Sequence, residues 1–154
     1  MEELRIDLGG GLSPRPGHIN IDLIGEADIQ WDLEKGLPDN ILPNSVAAFT
    51  ASQLIEHLAD VIPLMNDCYE ALVLGGLFEI STPYAGTKQW YQDPTHKRAY
   101  VEESFLYFAM DSPFRKEQDQ YGITARFEIV RAERGMGVDD WQLFVTLRKG
   151  GKQN

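Results

Sequence analysis

The N-terminal stretch of the chain constrains the fold most strongly, because a strand there runs into consecutive glycines and a second strand closes on an acid. Residues 4–8 alternate apolar and polar side chains and lead into Gly9, Gly10 and Gly11. Residues 19–23 form the next apolar run, which contains Asp22. Glycines let a backbone pass close to a ligand, and an acid at this strand end can accept hydrogen bonds from a ribose diol. The order of these features predicts a nucleoside site.

The connection between these two strands is unusually short for a parallel pair. It comprises residues 9–18 and contains Pro14 and Pro16, whose spacing forbids a regular helix. A parallel crossover normally needs a dozen or more residues, usually helical. We therefore expect the first crossover helix to be shortened or missing.

The rest of the chain alternates strand and helix patterns before it changes character. Predicted strands lie at 27–31, 46–52 and 77–82, predicted helices at 60–76 and 101–109, and a predicted hairpin at 124–131 and 141–147. This order predicts an α/β fold, Rossmann-like, with a mostly parallel sheet and a C-terminal antiparallel hairpin. We expect one domain over residues 1–148 and a frayed tail over 149–154.

Composition excludes several functional classes. The net charge of −10 disfavours binding to a nucleic-acid backbone, which requires clustered Lys and Arg. Cys68 is the single cysteine, so neither an intrachain disulfide nor a thiolate cluster can form. The sequence lacks a signal-peptide pattern and any apolar span near twenty residues, so we expect a cytoplasmic protein without membrane contact.

Several short motifs resemble the class I S-adenosylmethionine-dependent methyltransferases, in particular a small bacterial and phage branch of the methyltransferase type 11 kind. They are Asp7-Leu8-Gly9-Gly10-Gly11, the Ile-Asn-Ile-Asp run that ends at Asp22, Glu56-His57-Leu58, and Asp93-Pro94-Thr95-His96. The resemblance covers nearly the whole chain and implies S-adenosylmethionine as the cofactor. The implied cofactor-binding residues are Asp7, Gly9, Gly10, Gly11, Asp22, Leu23, Asp32, Leu33, Ser52 and Gln53.

The resemblance also suggests where the chemistry takes place. Methyl transfer requires a general base only if the acceptor must lose a proton, and Glu56, His57 and His96 are the catalytic candidates. Tyr84, Trp90, Asp93 and His96, in the long segment 84–98, are candidate contacts for the acceptor. Each of these side chains also has an ordinary reading as a cap, a packing residue or a loop-structuring residue. We expect no metal, because the histidines lie in segments that do not obviously converge.

The missing crossover helix departs from the family pattern and has two implications. It removes a helix N-terminus beside the cofactor carboxylate, and it leaves one sheet face bare, which we expect to be apolar and buried in a homo-oligomer. We therefore expect a methyltransferase acting on a small-molecule or sugar-like acceptor. The alternative is a catalytically inactive methyltransferase-like module that binds or assembles.

Overall fold

A computed structural model describes residues 2–151, which form one seven-stranded sheet. The strands are β1 (Arg5–Leu8), β2 (Ile19–Asp22), β3 (Ile29–Gln30), β4 (Val46–Ser52), β5 (Leu72–Pro83), β6 (Glu128–Arg134) and β7 (Gln142–Arg148). Their order across the sheet is β3-β2-β1-β4-β5-β7-β6. The first five strands in this order are parallel, whereas β7 pairs antiparallel with both β5 and β6. The predicted α/β class with a C-terminal antiparallel hairpin is confirmed.

The helices are few and short. They are α1 (Ile62–Ala71), α2 (Lys88–Gln92) and α3 (Arg115–Tyr121), with 3₁₀ turns at Leu33–Lys35, Ile55–His57, Glu102–Phe108 and Gly137–Asp139. Three of these elements depart from the sequence prediction: α2 lies inside the segment expected to be a loop, α3 was not predicted, and the helix expected at 101–109 is a 3₁₀ helix. The predicted helix end at residues 75–76 is also wrong. The chain leaves α1 at Ala71 and enters β5 at once, because Leu72 already pairs with Val46 of β4.

The core lies on one face of the sheet. Residues that alternate along the central strands are buried there, namely Ile6, Leu8, Phe49, Ala51, Phe78, Ile80, Leu143, Val145 and Leu147. Leu64, Met65 and Cys68 of α1 pack against this face, as do Phe105 and Phe108 of the 3₁₀ helix. Helices therefore cover this side of the sheet.

The opposite face is polar, with Glu79 and Arg131 exposed and Asp7 and Thr50 buried. Within the described chain, residues 9–18 contain no helix, so the predicted loss of the first crossover helix is confirmed. The row across this face includes Asp7, Thr50, Glu79, Thr146 and Arg131, which neighbour one another in the strand registers. Our expectation of an apolar face is therefore wrong. The homo-oligomer stays a prediction, but an exposed apolar face no longer supports it.

The end of the chain is more firmly held than expected. Lys149 is buried, its N–H donates to the Gly76 carbonyl at 3.0 Å, and its Nζ donates to Asn44 Oδ1 at 2.9 Å. The predicted frayed tail is thus wrong for Lys149, whereas residues 152–154 lie outside the described part. Among residues 2–151, no helix has the length and apolarity to cross a bilayer.

Candidate functional site

The glycine turn follows β1 directly and requires glycine at three successive positions. Gly9 and Gly11 have φ values of 68° and 62°, in the left-handed region that favours glycine. Gly10 is required for space, because a Cβ there would lie 2.7 Å from both Asn20 Oδ1 and Asp7 Oδ2. The backbone of this turn therefore lies closer to its neighbours than any side-chain-bearing residue would allow.

Asp22 holds the glycine turn against the end of β2. Its Oδ2 accepts a hydrogen bond from the Gly11 N–H at 2.8 Å, and its Oδ1 accepts one from the Leu23 N–H at 2.6 Å. Asn20 assists, because its Oδ1 accepts from the Gly10 N–H and its Nδ2 donates to the Gly11 carbonyl. A carboxylate has about four acceptor positions, so Asp22 retains capacity for a diol. Leu23 beside it is 63% exposed.

Asp7 is a structural acid in this arrangement. It is buried, its Oδ2 accepts from the Arg15 N–H at 2.8 Å, and its Oδ1 accepts from the Thr50 hydroxyl at 3.2 Å. These bonds join β1 to β4 and to the proline-containing connection. Asp7 therefore fixes the end of β1, where the glycine turn begins, against β4 and the proline-containing connection.

Asp32 and Leu33 follow β3. Asp32 Oδ1 accepts from the Glu34 N–H at 3.0 Å and so caps the 3₁₀ turn that begins at Leu33. The Leu33 side chain belongs to the core, which leaves only its backbone for a ligand contact. Of this pair, Asp32 alone keeps a polar side chain at the sheet edge.

Ser52 and Gln53 end β4, next to the ends of β5 and β7. Gln53 has a φ of 54°, a conformation that non-glycine residues adopt rarely and often at functional sites. Its Nε2 donates to Gln142 Oε1 at 3.0 Å, and Ser52 Oγ accepts from the Ser81 hydroxyl at 3.2 Å. The two residues are thus fixed at the carboxyl end of the central strand.

These predicted cofactor residues meet at one edge of the sheet. The strand order reverses between β1 and β4, and the glycine turn, Asp22 and Ser52 all lie at the carboxyl ends of neighbouring strands β1, β2 and β4. In open α/β sheets, ligands bind outside the carboxyl ends of the strands at such a reversal. The topology therefore places the candidate residues where a nucleoside site is expected.

Glu56 lies just beyond β4 and is completely buried. Its Oε2 accepts from the Thr82 hydroxyl at 3.4 Å, whereas Oε1 has no hydrogen-bond partner among the described residues. Burial raises the pKa of this carboxyl to about 7, against weaker lowering by hydrogen bonds. The Glu56 carbonyl accepts from the N–H groups of Lys97 and Arg98, and these bonds fold segment 84–98 back over this turn.

His57 and His96 converge beside Glu56. Their rings meet edge to face with centroids 4.8 Å apart, and one ligand atom from each of the three residues lies within 4.8 Å of the others. Desolvation, and then the neighbouring His96, lowers the pKa of His57. The expectation that the histidines lie apart is therefore wrong for this pair, whereas His18 lies elsewhere, with Nδ1 3.0 Å from the Pro16 carbonyl.

Three of the four predicted acceptor contacts gather around this pair. Trp90 offers its carbonyl to His96 Nδ1 at 2.7 Å, and Asp93 Oδ2 lies 3.5 Å from His96 Nε2. Tyr84 does not join them, because its hydroxyl donates to Glu102 at 2.8 Å and Arg134 stacks over its ring. Trp90, Asp93 and His96 therefore lie together, whereas Tyr84 lies apart from them, and their role as acceptor contacts stays a prediction.

Sequence reasoning missed the side chains that link these residues. Thr95 joins His57 to Asp93, with its Oγ1 3.0 Å from His57 Nδ1 and 2.7 Å from Asp93 Oδ1. Asn20 holds the glycine turn through two hydrogen bonds. Both residues lie inside motifs recognised in the sequence. Their polar side chains, near the acids of those motifs, were the feature that could have identified them.

A groove of about 480 Å³ extends from this edge over the exposed sheet face. Its lining includes Asp7, Ser52, Glu79, Arg131 and Phe144. Arg15 crosses it to pair with Glu79 at 3.0 Å, and Arg131 stacks on the Phe144 ring. A groove lined by both polar and apolar side chains therefore lies on the sheet face that lacks the crossover helix.

No protein-family model matches this sequence, and no curated protein matches it significantly. Solved structures do resemble it. An S-adenosylmethionine-dependent methyltransferase of Mesorhizobium loti shares 17% identity at a TM-score of 0.57, over 94% of this chain and 90% of its own. Methyltransferases of the same description from Archaeoglobus fulgidus (14% identity, TM-score 0.57, 96% and 86% covered) and Aquifex aeolicus (10%, 0.58, 94% and 81%) are also similar. The chain therefore has the fold of the class I S-adenosylmethionine-dependent methyltransferases.

Proposed function

We propose that this protein is an S-adenosylmethionine-dependent methyltransferase that acts on a small-molecule or sugar-like acceptor. The observation that carries the proposal is the position of the glycine turn and Asp22 at the strand-order reversal, beyond which lies the buried Glu56 with its two histidines. The names of the structural neighbours support S-adenosylmethionine as the cofactor.

The cofactor residues divide by the chemistry of the ligand. The Gly9 to Gly11 backbone would hold the methionine part, and the remaining acceptor positions of Asp22 would suit the ribose diol. The exposed Leu23 and the acid Asp32 suit the face and the amino edge of adenine. Ser52 and Gln53, at the carboxyl end of β4, would line the cofactor.

Methyl transfer from a sulfonium needs little covalent help from the protein. The cofactor carries its own leaving group, so the protein chiefly positions the reactants and excludes water. His57 has a lowered pKa and is therefore neutral at pH 7, able to accept a proton from an acceptor hydroxyl. Trp90 and Asp93 supply an apolar wall and a polar contact beside it.

The charge of the chain favours a small acceptor. A net charge of −10 repels a phosphate backbone, and the proposal therefore excludes nucleic acid as the substrate.

Calorimetric titration with S-adenosylmethionine and S-adenosylhomocysteine tests the proposal. Wild type should bind both at one site, and Asp22→Ala should lose binding, whereas Asp111→Ala, an exposed acid in another part of the chain, should behave as wild type. Folded protein that binds neither compound at millimolar concentration would contradict the proposed methyltransferase function.

The second candidate function is an inactive module that binds or assembles. One observation favours it: the Gly10 and Gly11 N–H groups are already engaged by Asn20 and Asp22, and the described chain supplies no helix N-terminus after the turn. Such a module would bind S-adenosylmethionine weakly or not at all. The same titration separates the two functions.

A further inference from the structure

The cluster of Glu56, His57 and His96 has the donor chemistry of a transition-metal site. Two imidazoles and one carboxylate form a set that first-row divalent metals favour, with open positions left for water or another ligand. The candidate ligand atoms lie within 4.8 Å of one another. Bonds of about 2.1 Å at ordinary angles place ligand atoms roughly 3.0–3.4 Å apart, so the ligand atoms need to close by no more than about 1.8 Å.

The orientation of both rings leaves Nε2 available. His96 Nδ1 lies 2.7 Å from the Trp90 carbonyl, which can only accept, so Nδ1 carries a proton and Nε2, 3.5 Å from Asp93 Oδ2, is the ring nitrogen left to bind a metal. Thr95 donates its hydroxyl hydrogen to Asp93, so its oxygen accepts from His57 Nδ1. Metal-binding histidines are typically held in this way, with the other ring nitrogen donating to a carbonyl or to a group linked to a carboxylate.

Glu56 supplies an independent observation. Its side chain is completely buried, and Oε1 has no hydrogen-bond partner among the described residues. A buried polar atom without a partner is rare and costly, and its presence calls for a missing ion or water. One Glu56 carboxylate oxygen lies within 4.8 Å of a ring nitrogen of each histidine, and Oε2 accepts from the Thr82 hydroxyl at 3.4 Å. Asp93, 3.5 Å from His96 Nε2, adds a second negative charge beside the cluster.

We propose that Glu56, His57 and His96 bind one divalent transition-metal ion, with Zn²⁺ as its representative, next to the carboxyl edge of the sheet. The proposal departs from the expectation of no metal, which assumed that the histidines do not converge. The site does not depend on the methyltransferase assignment. With an ion bound, the His57 Nε2 lone pair would no longer be free to accept a proton, so the ion itself would have to favour loss of the acceptor's proton, and that role rests on the proposed function.

The test is calorimetric titration of Zn²⁺ into untagged protein that has been stripped with EDTA and dialysed, without S-adenosylmethionine. We expect one ion per chain, and about 100-fold weaker binding in His57→Ala and in His96→Ala. Thr95→Ala should weaken binding by roughly 10-fold, because the Thr95 hydroxyl holds the His57 ring in its present orientation. His18→Ala is the matched control, since it removes the remaining histidine, outside the cluster, and should change nothing.

Co²⁺ provides a second readout on the same variants. Wild type should develop visible absorption bands from the bound ion, and His96→Ala should lose them. His57→Gln and His96→Gln serve if an alanine variant loses its circular dichroism spectrum, because they keep a polar side chain of similar reach. Wild type that stays folded and binds neither ion at millimolar concentration would overturn the proposal. Binding that survives both histidine variants would overturn it as well. Neither result depends on cofactor binding, so the methyltransferase proposal can fail separately.

Discussion

Replacement of Gly10 by alanine should destabilise the protein and disrupt the site together. A Cβ at this position would lie 2.7 Å from Asn20 Oδ1, 2.7 Å from Asp7 Oδ2 and 3.0 Å from Pro14 Cβ. These atoms must move apart, and overpacking of this kind typically costs about 1–3 kcal/mol. The displaced side chains accept hydrogen bonds from Gly10 and Arg15, each worth roughly 1 kcal/mol. We expect a loss of about 2–3 kcal/mol in the free energy of unfolding.

Two other glycines separate this steric effect from backbone strain. Gly11 has a φ of 62° with open space around a Cβ, so Gly11→Ala should cost only the left-handed conformation, about 1 kcal/mol. Gly25 has no left-handed φ, and beyond its two chain neighbours no atom of the described residues lies within 4 Å of an added Cβ. Gly25→Ala should therefore change stability by less than about 0.5 kcal/mol.

Urea denaturation of the three variants measures these differences, and titration with S-adenosylhomocysteine measures the effect on the site. Gly10→Ala should rank last in stability and bind the ligand most weakly. Equal stability of Gly10→Ala and Gly25→Ala would refute the reasoning, because the close packing around Gly10 would then have no effect on the free energy of unfolding.

Three further outcomes follow from individual contacts. Asp22→Ala leaves the N–H groups of Gly11 and Leu23 without acceptors, so urea denaturation should show a loss of about 1–2 kcal/mol. In EDTA-treated protein, native Glu56 keeps its proton up to a pKa of about 7, whereas the unfolded chain releases it near 4.5. Relative to Glu56→Gln, the unfolding free energy of the wild type should therefore fall by about 2–3 kcal/mol as pH rises from 4.5 to 7 and stay level above. Tyr84→Phe breaks only the half-exposed bond to Glu102, so any methyltransferase activity and Zn²⁺ binding should match wild type; a large loss of either would return Tyr84 to the site.

The local part of the fold could be predicted from the sequence. Apolar alternation defined β1 and β2, and Pro14 and Pro16 correctly indicated the missing helix. The start of β5 could not be predicted in this way. Gly75 resembles a helix end, but its φ of 79° lies within a strand whose first residue pairs across the sheet. The start of β5 is therefore set by its pairing with β4 and not by the local sequence.

The polarity of the bare face was present in the sequence but was misread. Thr50, Glu79 and Thr146 are each the polar member of an alternating strand, and their common register could be known only from the sheet order. A chain without the covering helix therefore replaces apolar residues with polar ones on that face.

The convergence of His57 and His96 could not be predicted from local pattern. It depends on segment 84–98 folding back, and backbone bonds from Lys97 and Arg98 to the Glu56 carbonyl hold that arrangement. Nothing in the spacing of the two histidines specifies this contact. The motifs singled out these residues as candidates, whereas their mutual geometry came from the fold.

Amide chemical-shift mapping with S-adenosylhomocysteine tests the central claim most directly. If the cofactor site lies at the carboxyl ends of β1, β2 and β4, the largest shifts should fall on Gly9, Gly10, Gly11 and Leu23. Shifts confined to Thr146 and Arg131 of the exposed groove, or no shifts in folded protein at millimolar ligand, would contradict the account.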